Sequence, residues 1–78
     1  MKVRVRYFAS LRDAAGTDGE DADAGAGLRA LYAGLAARHG FRLPPERLRV
    51  AINGDFVAWD AMPADGDDVV FIPPVSGG

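Results

Sequence analysis

The chain has no cysteine and a single histidine among its 78 residues. The first absence removes disulfide staples, thiolate nucleophiles and cysteine-ligated metal sites together. It also leaves no compositional reason to place the protein in an oxidising compartment. Neither sign of charge dominates: 9 Lys+Arg stand against 11 Asp+Glu, the net charge is −2, and the pI is near 5.1. A general nucleic-acid binder is normally basic, so nucleic acid is not an expected partner. No apolar run is long enough to cross a bilayer, and no charged start followed by an apolar core marks a signal peptide. A cytoplasmic protein without a membrane partner is expected. A Gly-rich phosphate loop of the P-loop type, a metal-ligand set and a nucleophilic triad are also missing, so the chain has no catalytic machinery of its own in view.

What remains is a small, apolar, single-domain sequence. Nearly half the residues are hydrophobic, which argues against a disordered segment. A domain of this size buries only about 60–65% of its unfolded surface, so one compact core is expected over residues 1–78. Val3, Val5 and Tyr7 alternate with Lys2, Arg4, Arg6 and Phe8, the period of a half-buried strand. The three basic residues read as its solvated face, with a phosphate site as the sharper alternative. Phe8 is the odd member, an aromatic on the charged face. Ser10–Ala15 predicts a short helical turn with Ser10 as N-cap and Gly16 as terminator. Thr17–Gly27, rich in Asp, Gly and Ala, predicts a loop with at most one short strand. Its Asp18, Glu20, Asp21 and Asp23 read as a solvated acidic run, since calcium-loop spacing is absent.

Leu28, Leu31, Tyr32, Leu35 and Ala36 fall at i, i+3, i+4, i+7 and i+8, which predicts a helix from Leu28 to His39 closed by Gly40. His39, at its C-terminus, reads as a structural residue whose protonated form the helix dipole favours. Leu48, Val50 and Ile52 predict a second strand that faces the core, Asn53-Gly54 a tight hairpin and Phe56-Val57 the return strand. Asp65, Asp67 and Asp68 read as turn residues rather than acid–base carboxylates. Val69–Ile72, four apolar residues in a row, predict a central strand covered on both faces. The order strand, helix, hairpin, strand implies an α+β domain with its first and last strands side by side.

Pro73-Pro74-Val75-Ser76-Gly77-Gly78 follows that strand directly. The prolines stop strand pairing and hold the chain extended. The glycines pack nothing, and a frayed terminus is the ordinary reading. The functional reading is that a tail without Cβ atoms can thread a narrow channel and present a carboxylate. Adenylation would turn that carboxylate into an acyl donor, and a sulfur nucleophile would then leave a thiocarboxylate, with every catalytic step supplied by partners.

Tyr7-Phe8-Ala9-Ser10-Leu11-Arg12-Asp13-Ala14-Ala15-Gly16, Val50-Ala51-Ile52-Asn53-Gly54-Asp55, Asp65-Gly66-Asp67-Asp68-Val69 and Phe71 through Gly78 resemble the molybdopterin synthase small-subunit family over nearly the whole chain. The Gly-rich helix start and Met62, where Leu is common, depart from the family pattern. The resemblance implies a ubiquitin-like β-grasp fold, a mixed sheet packed on one main helix, with a C-terminal tail over about residues 73–78. It implies a non-catalytic carrier that binds no cofactor itself. A ubiquitin-activating-like adenylyltransferase would use ATP on Gly78, a sulfur donor would complete the thiocarboxylate, and Gly77 would let the tail thread. The sulfur would then build the dithiolene on cyclic pyranopterin monophosphate within a large subunit, the assembly being a heterotetramer. Phe8, Phe56 and Ile72, opposite in parity to the core, are expected to form the docking patch, and Pro73, Pro74, Val75 and Ser76 of the tail are expected to bind the partner as well. A sulfur carrier of the thiamine-thiazole type and a ubiquitin-like binding or modifier module are the competing readings.

Overall fold

The computed structural model describes residues 1–74. Five strands and two helices follow in the order β1 (Lys2–Tyr7), α1 (Ala9–Ala15), β2 (Gly19–Asp23), α2 (Leu28–His39), a 3₁₀ turn at Pro45–Arg47, β3 (Arg49–Ile52), β4 (Asp55–Val57) and β5 (Asp68–Ile72). The strands form one mixed sheet in the order β2-β1-β5-β3-β4. β1 and β5 run parallel at its centre, with Arg4 opposite Asp68 and Tyr7 opposite Phe71. The other pairings are antiparallel. This is the α+β, β-grasp arrangement, in which the segment carrying α2 makes the crossover that parallel neighbours require.

Alternation in β1 sends Val3, Val5 and Tyr7 inward, each nearly fully buried. They meet Val50, Val69 and Phe71 from the sheet and Leu28, Leu31, Tyr32 and Leu35 from α2 in a single core. Helix α2 begins at Gly27, whose φ of 96° suits glycine, and ends at Gly40 in the left-handed conformation. The Asn53-Gly54 turn has φ of 52° and 89°, the positive pair that a two-residue hairpin needs. The turn carboxylates are occupied as turn chemistry: Asp65 accepts the Lys2 N–H, and Asp67 accepts from Ala64 N–H and the Asn53 amide. No described helix is long and apolar enough to cross a membrane.

Four details correct the sequence reading. Ser10 does not cap α1. Ala9 adopts φ 49°, turning the chain one residue earlier, and Phe8 takes the N-cap position, its carbonyl accepting the Leu11 N–H. Strand β5 is central but not covered on both faces. α2 lies on one face only, and Val70 and Ile72 are half-buried on the other. Ile52, at the end of β3, is half-buried at the margin of the core instead of within it.

The fourth concerns Glu20, which is not a solvated loop residue. It stands opposite Val5 on the helix-facing side of β2. Its carboxylate accepts from the Tyr7 hydroxyl at 2.6 Å and from Arg38 at 3.1 Å, and meets His39 Nε2 at 2.5 Å. Burial works against its charge. The hydrogen bonds from Tyr7 and His39, with the charges of His39 and Arg38, outweigh that cost and hold its pKa below the ordinary 4.5. Burial pushes the Tyr7 hydroxyl up, and the bond to Glu20 pushes it further. A carboxylate with a depressed pKa contributes stability above its unfolded pKa and loses it as pH falls through the folded value. Glu20→Gln is therefore expected to cost about 1–3 kcal/mol at neutral pH. Its deficit against the parent should shrink as both are melted at successively lower pH, down to about 3. A deficit that stays constant across that range would mean that the charge of Glu20 contributes nothing.

Candidate functional site

The face of the sheet away from α2 has no helix over it. Its residues come from the outward parity of each strand: Arg4 and Arg6 from β1, Val70 and Ile72 from β5, Arg49 and Ala51 from β3, and Phe56 from β4. Arg6, Val70, Ala51 and Phe56 form one row through successive pairings. Phe8 continues the β1 alternation because its backbone is extended, with φ −125° and ψ 154°. Phe8 is 48% exposed and Phe56 63% exposed. Among the described residues only Met1 and Met62 join them as large apolar side chains this open to solvent. Two outward aromatics on a half-apolar sheet face make it a candidate interaction surface.

Parity thus brings Phe8, Phe56 and Ile72 to one face, as their positions in the sequence suggest. Val70 and Ala51 belong to the same surface and were missed. The signal was available, since both share the parity of Ile72 and Phe56 across the register, but register is not written in a single strand. Arg49 was missed as well. Its guanidinium lies 5.6 Å from the centre of the Phe56 ring, a cation–π distance, so the most exposed aromatic of the face carries a positive charge beside it.

Strand β5 carries this face to the tail. Ile72 is paired with Arg49, Pro73 is buried and Pro74 is exposed. Ile72, Pro73 and Pro74 border a groove of about 380 Å³ whose other side is Arg47, Leu48 and Arg49. Glu46 lines the same groove, so the corner that Pro73 and Pro74 border carries two cations and one carboxylate. Val75, Ser76, Gly77 and Gly78, which the sequence singles out, lie outside the described residues. His39, as expected, is engaged structurally, between Glu20 and the rings of Tyr7 and Phe41. No group of three or more metal-ligating side chains occurs among the described residues.

A small domain with one open, half-apolar sheet face and a central strand running into Pro73-Pro74 has a surface on which a protein can dock. Comparison with known proteins is consistent in this respect. The family model described as the ThiS family matches residues 5–78. The chain is 35% identical over 80 residues to the molybdopterin synthase sulfur carrier subunit of Escherichia coli (strain K12), covering 97% of this chain and 99% of that protein. Among solved structures, SAMP1 from Haloferax volcanii superposes with a TM-score of 0.79 at 26% identity, with complete coverage of both chains. A chain from the complex of subunits 1 and 2 of the molybdopterin-converting factor of Helicobacter pylori 26695 does so with a TM-score of 0.72, again at 26% identity and with complete coverage of both.

Proposed function

The chain belongs to the ThiS family, and from that membership we propose that it works as the sulfur carrier subunit of a molybdopterin synthase. The observation that carries the reading is the end-to-end likeness to the Escherichia coli carrier subunit. It is supported by a central strand that leads from the core into Pro73-Pro74 and the Gly77-Gly78 end. The Gly78 carboxylate attacks the α-phosphorus of ATP on an adenylyltransferase, and pyrophosphate leaves. Hydrosulfide from the sulfur donor then attacks the acyl carbon, the C–O bond to AMP breaks, and a thiocarboxylate remains. The large subunit receives the tail and transfers its sulfur to cyclic pyranopterin monophosphate.

This chain's own part is docking and presentation. Phe8, Phe56 and Ile72 bind the large subunit, in keeping with the two-subunit complex formed by the Helicobacter pylori relative. Pro73 and Pro74 stiffen the start of the tail by fixing φ. Gly77 keeps it thin. The direct test is to incubate the chain with ATP, the activating enzyme and a sulfur donor and to weigh the intact protein. The expected product carries sulfur in place of one oxygen. No mass change with a demonstrably active enzyme would overturn the reading. The likeness to SAMP1 favours a second reading, in which the activated Gly78 is passed to lysines of other proteins. Conjugates of higher mass, in place of the thiocarboxylate, would mark that outcome.

Charge placed in the docking face is expected to weaken the subunit complex. Phe8→Asp or Ile72→Asp should lower affinity for the large subunit by at least about 2 kcal/mol, roughly 30-fold. Phe8 is half exposed, and Phe8→Asp should melt close to the parent temperature. Titration calorimetry with the purified large subunit measures the effect, and parent affinity in both variants would remove these residues from the interface.

A further inference from the structure

Beside Phe8 lies a second groove, of about 420 Å³, formed where α1 returns past β1 and β2. Arg4 and Arg6 line it from β1, Arg12 from the last turn of α1, and Gly19 from the edge strand. Asp18 is the one carboxylate on its wall. Three guanidinium groups thus converge in a chain whose net charge is −2. Arg4 pairs with Asp21 at 3.4 Å and Arg6 with Asp68 at 3.0 Å. Both pairs are well exposed, and pairs of that kind contribute little. Arg6 is held only through Nε, which leaves both terminal nitrogens and their four N–H donors pointing elsewhere. Arg12 makes no ion pair among the described residues. Gly19 keeps the groove low at its edge. Its Cα faces the Val5 carbonyl so closely that any Cβ would collide with it.

We propose that this groove is the electrostatic half of the docking surface, and that it receives an acidic segment of the protein to which the carrier docks. The proposal rests on the carrier reading and extends it from the apolar face to the charged corner continuous with it through Phe8. Two observations select a carboxylate-bearing peptide over a phosphate group. The wall of the groove includes the half-exposed Phe8, which suits a peptide of mixed acidic and apolar side chains. Asp18 stands in the same groove and would repel a multiply charged phosphate. Guanidinium groups bind carboxylates with two parallel hydrogen bonds, and charge complementarity of this kind acts mainly on the rate of encounter and on the choice of partner.

The test measures association rates between the full chain and the molybdopterin synthase large subunit from the same genome, at low and high salt. The parent should associate more slowly as salt rises. The double variant Arg6→Glu, Arg12→Glu should associate about 10-fold more slowly, or worse, at low salt and lose most of its salt dependence. The pair Arg6→Lys, Arg12→Lys should stay within about twofold of the parent rate, because it keeps the steering charge. These side chains lie at the surface, so melting temperatures should match throughout. A charge-reversed variant with the parent's rate and salt dependence would overturn the groove proposal while leaving the carrier reading intact. Saturable binding of ATP or inorganic phosphate to the isolated parent, lost in the reversed variant, would reassign the groove to a phosphate and overturn it as well. A parent that does not bind the large subunit at all would bring down both readings together.

Discussion

Adding a single residue after Gly78 is expected to abolish sulfur transfer while leaving the domain folded. One residue moves the terminal carboxylate by up to about 3.3–3.6 Å. Reacting atoms must lie within roughly 3–3.5 Å of each other, and a displacement of about 1 Å already costs on the order of 100-fold in rate. Thiocarboxylate formation on the extended chain should therefore fall at least about 100-fold. Gly77→Val should impair the same step by widening the tail and restricting its backbone. Among the described residues the last strand ends at Ile72 and the last buried side chain is Pro73, so both variants should melt with the parent. Intact-mass analysis after reaction with the activating enzyme, followed by assay of molybdopterin formation, reads the result. An extended chain that is sulfurated at its new end and still yields molybdopterin would show that Gly78 is not the reacting residue.

Phe71→Ala should bring the domain close to unfolding. Phe71 is completely buried in the central strand, opposite Tyr7 on one side and Val50 on the other. Its ring meets Tyr32 edge-on at 5.2 Å and stacks on Trp59 at 5.7 Å. Truncating a buried Phe costs about 3–5 kcal/mol, and a domain of this length has only roughly 4–12 kcal/mol to lose. The melting temperature should fall by roughly 15–30 °C. Trp59 packs against the removed ring, so its fluorescence should report the change even where the variant still folds. A fall of less than about 5 °C would place Phe71 outside the core. Leu31→Ala, which removes the α2 side of the same core, should cost about 2–5 kcal/mol.

Local patterns made much of this fold readable. The stripe Leu28, Leu31, Tyr32, Leu35 and Ala36, closed by Gly40, gives the bounds of α2 as they stand in the structure. Asn53-Gly54 marks its hairpin because few other pairs accept two positive φ values. Alternation in β1 separates core from surface, and with it Phe8 from Tyr7. What escaped was set by contacts distant in sequence. Glu20 sits in an acidic run and looks solvated there. Only the packing of α2 against the sheet brings Arg38 and His39 to it, 18 and 19 residues away. The open outer side of β5 was hidden because four apolar residues in succession read the same whether one face or both are covered. Arg12 reaches the groove of Arg4 and Arg6 only because Ala9 turns α1 back beside β1. Arg49 reaches Phe56 only through the register of β3 with β4. The parity of Phe8, Phe56 and Ile72 was thus legible, while Val70, Ala51 and the neighbours that Arg12 and Arg49 find across the sheet were not.

A pull on the tail at Pro74 would run along β5, nearly at right angles to its inter-strand hydrogen bonds. That strand is bonded along both flanks, parallel to β1 from Asp68 to Phe71 and antiparallel to β3 from Val69 to Ile72. Tension is therefore taken in shear by two ladders at once. At an edge strand such as β4, bonded on one side only, the same force would fall on a single ladder. A protein that draws the tail into a narrow channel, or strips it out again, can thus load the chain end without unravelling the domain that anchors it.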